Sequence, residues 1–254
     1  MKNPSPDNHL TSPIPPRTAV WRMFDRIAHR YDLLNRLLSF RQDVVWRKRV
    51  VNFLPERNQL HVLDLATGTG DLLIALQENS TRVASGVGID LAEKMLEIGR
   101  EKLRKKSLDE RLTLQKGDAM AIPFPENTFD VVTIAFGIRN VEDVEKSLKE
   151  MYRVLKNKGR VLILEFSLPE NRIFRAIYLF YFRNILPRIG GWISGDSTAY
   201  RYLNRTVETF PYGKEFCRLL QSAGFKEVSF TPLTFGIATI YQGDKVGEGS
   251  GHTI

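Results

Sequence analysis

At 254 residues, 43% hydrophobic and 26% charged, the chain has the composition of an ordinary globular protein with room for one sizeable domain. A single cysteine, Cys217, and four histidines exclude an internal disulfide framework, argue against a metal site and fit a cytoplasmic compartment. The formal charge of +8 is uneven, with ten Lys and Arg against four Asp and Glu in residues 1–50 and six against two in residues 170–205. Such asymmetry points to an anionic partner surface, nucleic acid or lipid headgroup.

Residues 1–18, rich in Pro, Ser and Asn, lack the apolar stretch of a secretory signal and read as a disordered lead-in. Residues 19–50 have helical periodicity, with Trp21, Phe24, Ile27, Ala28 and Tyr31 three or four apart, and would form a helical lid. Strand and helix then alternate: HVLDLA, a helix over 71–79, ASGVGI, a helix over 91–106, LTLQKG, FDVVTIAF, a helix over 143–155 and RVLILEF. Apolar strands in that rhythm predict a parallel sheet covered on both faces. An insert over 169–205 breaks the rhythm. Its segment 171–195 mixes Phe, Tyr, Ile, Leu and Trp with Arg172, Arg175, Arg183 and Arg188 and has no acid. That composition suits either an interfacial helix at an anionic membrane, with Phe180, Tyr181 and Phe182 as its contact, or a helix pair closing the site. A helix over 213–223 ends on Gly224, and EVSFTPL and IATIYQG follow with only a short turn between them, which makes them antiparallel. Residues 246–254 read as a flexible tail. The expectation is an α/β, Rossmann-like fold: one domain over 19–245 with a mostly parallel seven-stranded sheet ending in an antiparallel hairpin.

The segment VLDLATGTGDLL carries the cofactor signal. Gly68 and Gly70 supply two glycines of a dinucleotide turn, but Leu73 stands where the third belongs, and Asp64 and Asp71 flank the turn where a pyrophosphate would be repelled. Two unit charges 4 Å apart interact by about 4 kcal/mol at an effective dielectric near 20, so these carboxylates favour a cation. S-adenosylmethionine meets that demand with a sulfonium and an ammonium in place of phosphates. Asp90, ending the second strand, suits the ribose hydroxyls. Asp118, ending the third, suits the adenine amine, with Ala119 and Met120 beside the ring. Three aspartates serving only as turn or helix caps is the bland alternative.

From VLDLATGTGD through IPFPENTFDVVTIAFGIRNV to RVLKNKGRVLILEFS the chain resembles the quinone-biosynthesis C-methyltransferases over about residues 20–243. That resemblance implies a class I S-adenosylmethionine-dependent methyltransferase fold. The implied reaction is C-methylation of a polyprenylated quinol, demethylmenaquinol to menaquinol, or alternatively of a polyprenyl methoxy-benzoquinol in ubiquinone biosynthesis. The family's N-terminal signature is met by Tyr31, Asp32, Asn35, Ser39 and Trp46, with Leu34 in place of methionine and Asp43 in place of histidine. Thr69, Asp90, Asp118 and Ala119 match cofactor-binding positions, and Ala135 stands where the family often has serine.

A ring carbon becomes nucleophilic when its quinol loses a proton, and a free phenol titrates near 10, so a site must supply a base or stabilise the phenolate. Arg139 and Asn140, after the fourth strand, are the candidates for steadying the ring oxygen; Tyr31 and Asp32, on the lid, are candidates for proton handling. A surface salt bridge for Arg139 and a core role for Tyr31 are the bland readings. The rivals are a nucleic-acid methyltransferase, a non-catalytic membrane-associated cofactor sensor and, weakest, a nicotinamide oxidoreductase. AFGIRN lacks the Asn-Pro-Pro-aromatic stretch for amino-nitrogen attack, and Cys217 sits on a late helix, so no nucleic-acid partner is expected.

Overall fold

The computed structural model describes residues 20–186, 188 and 197–247. The readings of 1–18 as a lead-in and of the tail beyond residue 247 lie outside the described residues, as do 187 and 189–196 within the insert.

Seven strands among the described residues form one sheet in the order 3-2-1-4-5-7-6: β1 (Leu60–Leu65), β2 (Val83–Asp90), β3 (Leu112–Lys116), β4 (Phe129–Ala135), β5 (Leu155–Phe166), β6 (Lys226–Leu233) and β7 (Ala238–Asp244). β1 to β5 pair in parallel, and β7 runs antiparallel to both β5 and β6. β4 is buried from Phe129 through Ile134, as a central parallel strand with helices on both sides must be. One core holds Trp46 and Val50 of α2 (Gln42–Val50), Leu73 and Leu76 of α3 (Asp71–Asn79) and Leu96 of α4 (Glu93–Lys105). The other holds Leu148 and Met151 of α5 (Val144–Val154) and Phe216 and Leu220 of a later helix, α8 (Lys214–Ser222). β1 and β4 are neighbours whose connections leave in opposite directions, so the ends of these two strands open the crevice where ligands bind in such sheets.

Three boundaries differ from the sequence reading. The helical stretch over 19–50 is two helices, α1 (Val20–Leu38) and α2, separated by Phe40 (φ 52°) and Arg41 (φ 62°). Ser39 Oγ accepts the Asp43 N–H at 3.3 Å and donates to Asp43 Oδ1 at 2.8 Å, tying the second helix to the turn. β5 starts at Leu155 rather than near Arg160, because Phe129 pairs with Leu155 and Val131 with Arg160, leaving residues 156–159 bulged out of the ladder.

The insert also divides. α6 (Arg172–Phe180) begins where Asn171 Oδ1 accepts the Ile173 and Phe174 amides, and it runs into a π-helical turn over Tyr181–Ile185. Ile173, Ile177 and Phe180 are exposed, whereas Phe182 and Leu186 are buried with Val20 and Met23 of α1 and with Tyr202 and Val207 of α7 (Ser197–Thr209). The expected contact triad therefore splits. Phe182 is core, Tyr181 is half-buried with its hydroxyl donating to the Leu38 carbonyl at 2.9 Å, and Phe180 alone faces outward. Arg183 is engaged as well, its guanidinium paired with Glu208.

Candidate active site

The glycine turn leaves β1 through Ala66 (φ 45°), Gly68 (φ 56°) and Gly70 (φ 78°). Gly70 adopts a left-handed conformation that a β-carbon penalises, and it sits immediately before α3. The third glycine's task of letting helix approach strand falls to Gly86 on β2, where an added Cβ would lie 2.6 Å from Leu73 Cδ1. Leu73 thus occupies the space in this fold that a dinucleotide fingerprint leaves clear.

Above the strand ends lies a cavity of about 250 Å³. Gly68, Asp90, Asp118, Ala119, Ala135 and Asn140 line it from the sheet, and Trp21, Phe24 and Tyr31 cover it from α1. Asp90 is held rigidly: Oδ2 accepts the Gly68 amide at 2.8 Å and Oδ1 the Ala92 amide at 2.9 Å. Burial pushes its carboxyl above the usual range, and the two amides oppose that rise. Asp118 Oδ1 accepts the Met120 amide at 2.8 Å. Both carboxylates are thereby oriented with acceptor capacity left over.

The charge on the turn itself is arranged differently from the sequence reading. Asp64 lies beneath the turn against a small cavity of about 30 Å³, with Thr67 and Thr133 hydroxyls each donating to it at 2.6 Å. Burial lifts its carboxyl to about 6. Asp71 is paired with Lys102 at 2.7 Å and Arg36 at 3.4 Å, and these cations hold it below the ordinary range despite burial. The turn is therefore not bare negative charge, and Asp90 and Asp118 carry the acidity of the main cavity.

Two candidates meet each other rather than the cavity. Asp32 forms an ion pair with Lys102 Nζ and accepts the Thr69 hydroxyl at 2.8 Å; Lys102 donates to Thr69 Oγ1 at 2.7 Å. Asp32 lines none of the three cavities, so a proton-handling role does not fit its placement. The Thr69 side chain is committed to the same cluster. The lid helix is latched to α4 and the glycine turn at this point.

A second cavity, about 80 Å³, adjoins the first across Phe24, Tyr31 and Phe136, residues common to both walls. Arg139 lines it, buried, with Nη1 donating to Glu165 Oε1 and to the Phe136 carbonyl, each at 2.6 Å. Its salt bridge is internal rather than superficial. Arg139 Nε and Asn140 Oδ1 are both buried with no hydrogen-bond partner. Burial raises the Tyr31 hydroxyl, with Asn35 within hydrogen-bonding reach, so Tyr31 is a proton donor at neutral pH. Phe136 itself has φ 56°, so strained non-glycine residues end both β1 and β4, where strain commonly marks function.

Glu165 and the Asp43–Arg47 pair escaped the sequence reading. Their signals were present: Glu165 is a lone acid in the apolar run RVLILEF, which demands a buried partner, and Asp43 and Arg47 are four apart on one helix face.

Residues 16–245 match the model of the ubiE/COQ5 methyltransferase family. A demethylmenaquinone methyltransferase of Thermus thermophilus is 48% identical over 223 residues, covering 88% of this chain and 100% of that protein. A ubiquinone/menaquinone biosynthesis C-methyltransferase of Geobacter sulfurreducens is also 48% identical, over 88% of this chain and 87% of its own length. A solved S-adenosylmethionine-dependent methyltransferase from Thermotoga maritima shares the fold at a TM-score of 0.62 and 20% identity, across 89% of this chain and 99% of that one. The glycine turn, the strand-end acids and the match across nearly the whole chain lead to one statement: this chain belongs to the ubiE/COQ5 methyltransferase family.

Proposed function

We propose that the protein uses S-adenosylmethionine to methylate a ring carbon of a polyprenylated quinol, converting demethylmenaquinol to menaquinol. Its relatives carry the names of that activity, and the observation that carries the reading is the orphaned pair, Arg139 Nε and Asn140 Oδ1, buried where the two cavities meet. A buried donor and a buried acceptor left unpaired each cost about 1–3 kcal/mol, and a phenolic hydroxyl, which both accepts and donates, satisfies both.

The large cavity fits the cofactor. Asp90 suits the ribose hydroxyls and Asp118 the adenine amine, with Ala119 beside the ring, Ala135 offering no hydroxyl, and Gly68 and Asp64 at the methionine end. The cofactor supplies a methyl group on a positively charged sulfur. The protein then has to hold the ring beside it, favour the phenolate and keep water out. Arg139 lowers the energy of the ring oxygen's negative charge, Asn140 orients that oxygen, and Tyr31 donates from the lid. Phe24, Phe136 and Phe166 supply apolar walls for an aromatic ring. Alignment of carbon and methyl group contributes most of the acceleration.

A polyprenyl substrate resides in lipid, and peripheral contact with an anionic membrane is part of the proposal. No helix among the described residues is long and apolar enough to cross a membrane. Ile173, Ile177 and Phe180 of α6 are 72%, 62% and 62% exposed. Phe174 stacks on exposed Phe235, while Phe40, 75% exposed, meets Tyr181. An apolar face flanked by arginines is suited to a headgroup boundary.

The deciding experiment supplies demethylmenaquinol and the methoxy-benzoquinol separately with methyl-labelled S-adenosylmethionine. Label on the naphthoquinol is expected; label on the benzoquinol alone moves the assignment to ubiquinone biosynthesis; label on neither overturns the proposal.

A further inference from the structure

The second cavity has two cationic ends. Arg139 and Glu165 form one. Arg47 and Asp43 form the other, with Nη1 and Oδ2 2.7 Å apart and the side chains 9% and 5% exposed. Between them runs an aromatic floor: the Arg47 guanidinium lies 5.4 Å from the Phe136 ring centre, Arg139 lies 5.2 Å from that of Phe166, and the two rings are 4.5 Å apart. The two arginines reach the cavity independently, one from α2 and one from the loop after β4.

Packing alone does not account for the second pair. A buried ion pair recovers its desolvation cost poorly and is often no more stabilising than apolar residues of like volume. Asp43 is already fully engaged, taking the Ser39 hydroxyl at 2.8 Å on one oxygen and Arg47 on the other. Arg47 borders both the second cavity and the small one beneath the glycine turn, and a guanidinium has more N–H groups than one carboxylate oxygen consumes. Asp43 and Ser39 thus aim a cation into a cavity whose opposite end already holds one.

A quinol ring carries two oxygens, placed para across its width. We propose that Arg47 binds the ring oxygen para to the one held at Arg139 and Asn140, with Asp43 and Ser39 as positioning residues, so that the enzyme selects a 1,4-dihydroxylated ring over a simple phenol. The inference rests on the quinol reading above and extends it to the substrate class the site accepts. Fixing both oxygens leaves the ring no rotation in its own plane and sets which carbon faces the cofactor cavity.

The test compares a short-tailed 2-prenyl-naphthalene-1,4-diol with 3-prenyl-1-naphthol, which retains only the hydroxyl beside the reacting carbon. Methylation at the carbon between hydroxyl and prenyl group is followed with labelled S-adenosylmethionine. The parent enzyme is expected to prefer the diol by about 10- to 100-fold in kcat/KM, the range of a hydrogen bond to a charged group. In Arg47→Gln that preference collapses to within about threefold, chiefly through loss of diol turnover, and Arg47→Lys, keeping the charge, recovers part of it. Cofactor affinity serves as the control for intact folding. If Arg47→Gln leaves Asp43 unpaired and fails to fold, the double variant Asp43→Asn/Arg47→Gln removes both charges and takes its place. A parent indifferent to the second hydroxyl, or variants that lower both substrates equally and keep the ratio, overturn the subsite. A parent that labels neither ring overturns the quinol reading, and this inference with it.

Discussion

Arg139 Nη1 and Glu165 Oε1 lie 2.6 Å apart with their side chains 6% and 1% exposed, so the cation facing the reaction cavity is held by an acid from the neighbouring strand. Burial pushes the Glu165 carboxyl up and Arg139 opposes the rise. Removing one partner strands the other: Glu165→Gln is expected to cost about 3–5 kcal/mol of stability, read as a fall in Tm. Replacing both, as Arg139→Met/Glu165→Gln, should restore most of that stability. Turnover should still drop at least about 10²-fold, with cofactor affinity within roughly twofold of the parent. A double variant with parental turnover would make the pair purely structural.

Asp90→Ala should weaken S-adenosylmethionine binding by about 1.5–3 kcal/mol, the range for hydrogen bonds to a charged group. Because the same carboxylate takes the Gly68 amide, the glycine turn should loosen too, visible as faster amide exchange there. Calorimetry with an unchanged dissociation constant in a folded variant would remove Asp90 from the cofactor site.

The pH dependence of cofactor binding follows from Asp64, whose buried carboxyl is lifted to about 6. A cationic ligand favours the ionised acid, so affinity is full above pH 7 and falls as pH drops through 6, by roughly five- to tenfold at pH 5 for a one- to two-unit linkage. Asp64→Asn should flatten the curve. Stability runs the opposite way: a raised folded pKa favours the protonated form, so this contribution is present at low pH and is lost as pH rises through about 6. Denaturant titrations at pH 5 and pH 8 check the second sign.

The Asp32–Lys102–Thr69 latch should govern how fast cofactor leaves. Lys102→Gln is expected to raise the dissociation rate by about 3- to 10-fold, in line with partly buried ion pairs of about 1 kcal/mol. In the parent the rate should climb with salt as the screening length shortens from about 10 Å to about 3 Å between 0.1 and 1 M, and in the variant it should not. Stopped-flow release traces that respond to salt identically in both would show that the latch is inert.

For the membrane contact, Ile173→Ser/Ile177→Ser/Phe180→Ser changes exposed residues only, leaving the buried Phe182 intact. Binding to vesicles containing phosphatidylglycerol should weaken by at least about 2 kcal/mol, since each of these side chains fully buried is worth roughly 1.5–3. Activity on a short-tailed quinol should persist. Unchanged vesicle binding in the triple variant would move any membrane contact elsewhere.

Much of the cofactor half was legible in the chain. Period-2 and apolar strand patterns locate β1 to β4, and an acid at a strand end such as Asp90 or Asp118 must fall at the crevice. What was not legible was mostly who pairs with whom. Asp32 reads as an available carboxylate until the fold brings Lys102 against it, and Asp71 likewise until Lys102 and Arg36 arrive. The break at Phe40 and Arg41 was hidden because neither is glycine, and left-handed conformations at ordinary residues carry no local signature. Phe180, Tyr181 and Phe182 look alike as a composition, and only the helix's orientation assigns one to solvent and another to the core.

The π turn at Tyr181–Ile185 places one more residue in a revolution than an α-helix would, so the sequence there cannot be shortened neutrally. Deleting a single residue would restore the ordinary pitch and rotate everything downstream by about 100°. The positions now filled by Phe182 and Leu186 would trade places with outward-facing neighbours, and the greasy exterior and the packed interior of one helix would be exchanged. Length at these five residues is thereby constrained as tightly as identity. Lineages of this chain should tolerate substitutions along α6 far more readily than gaps within the turn that follows it.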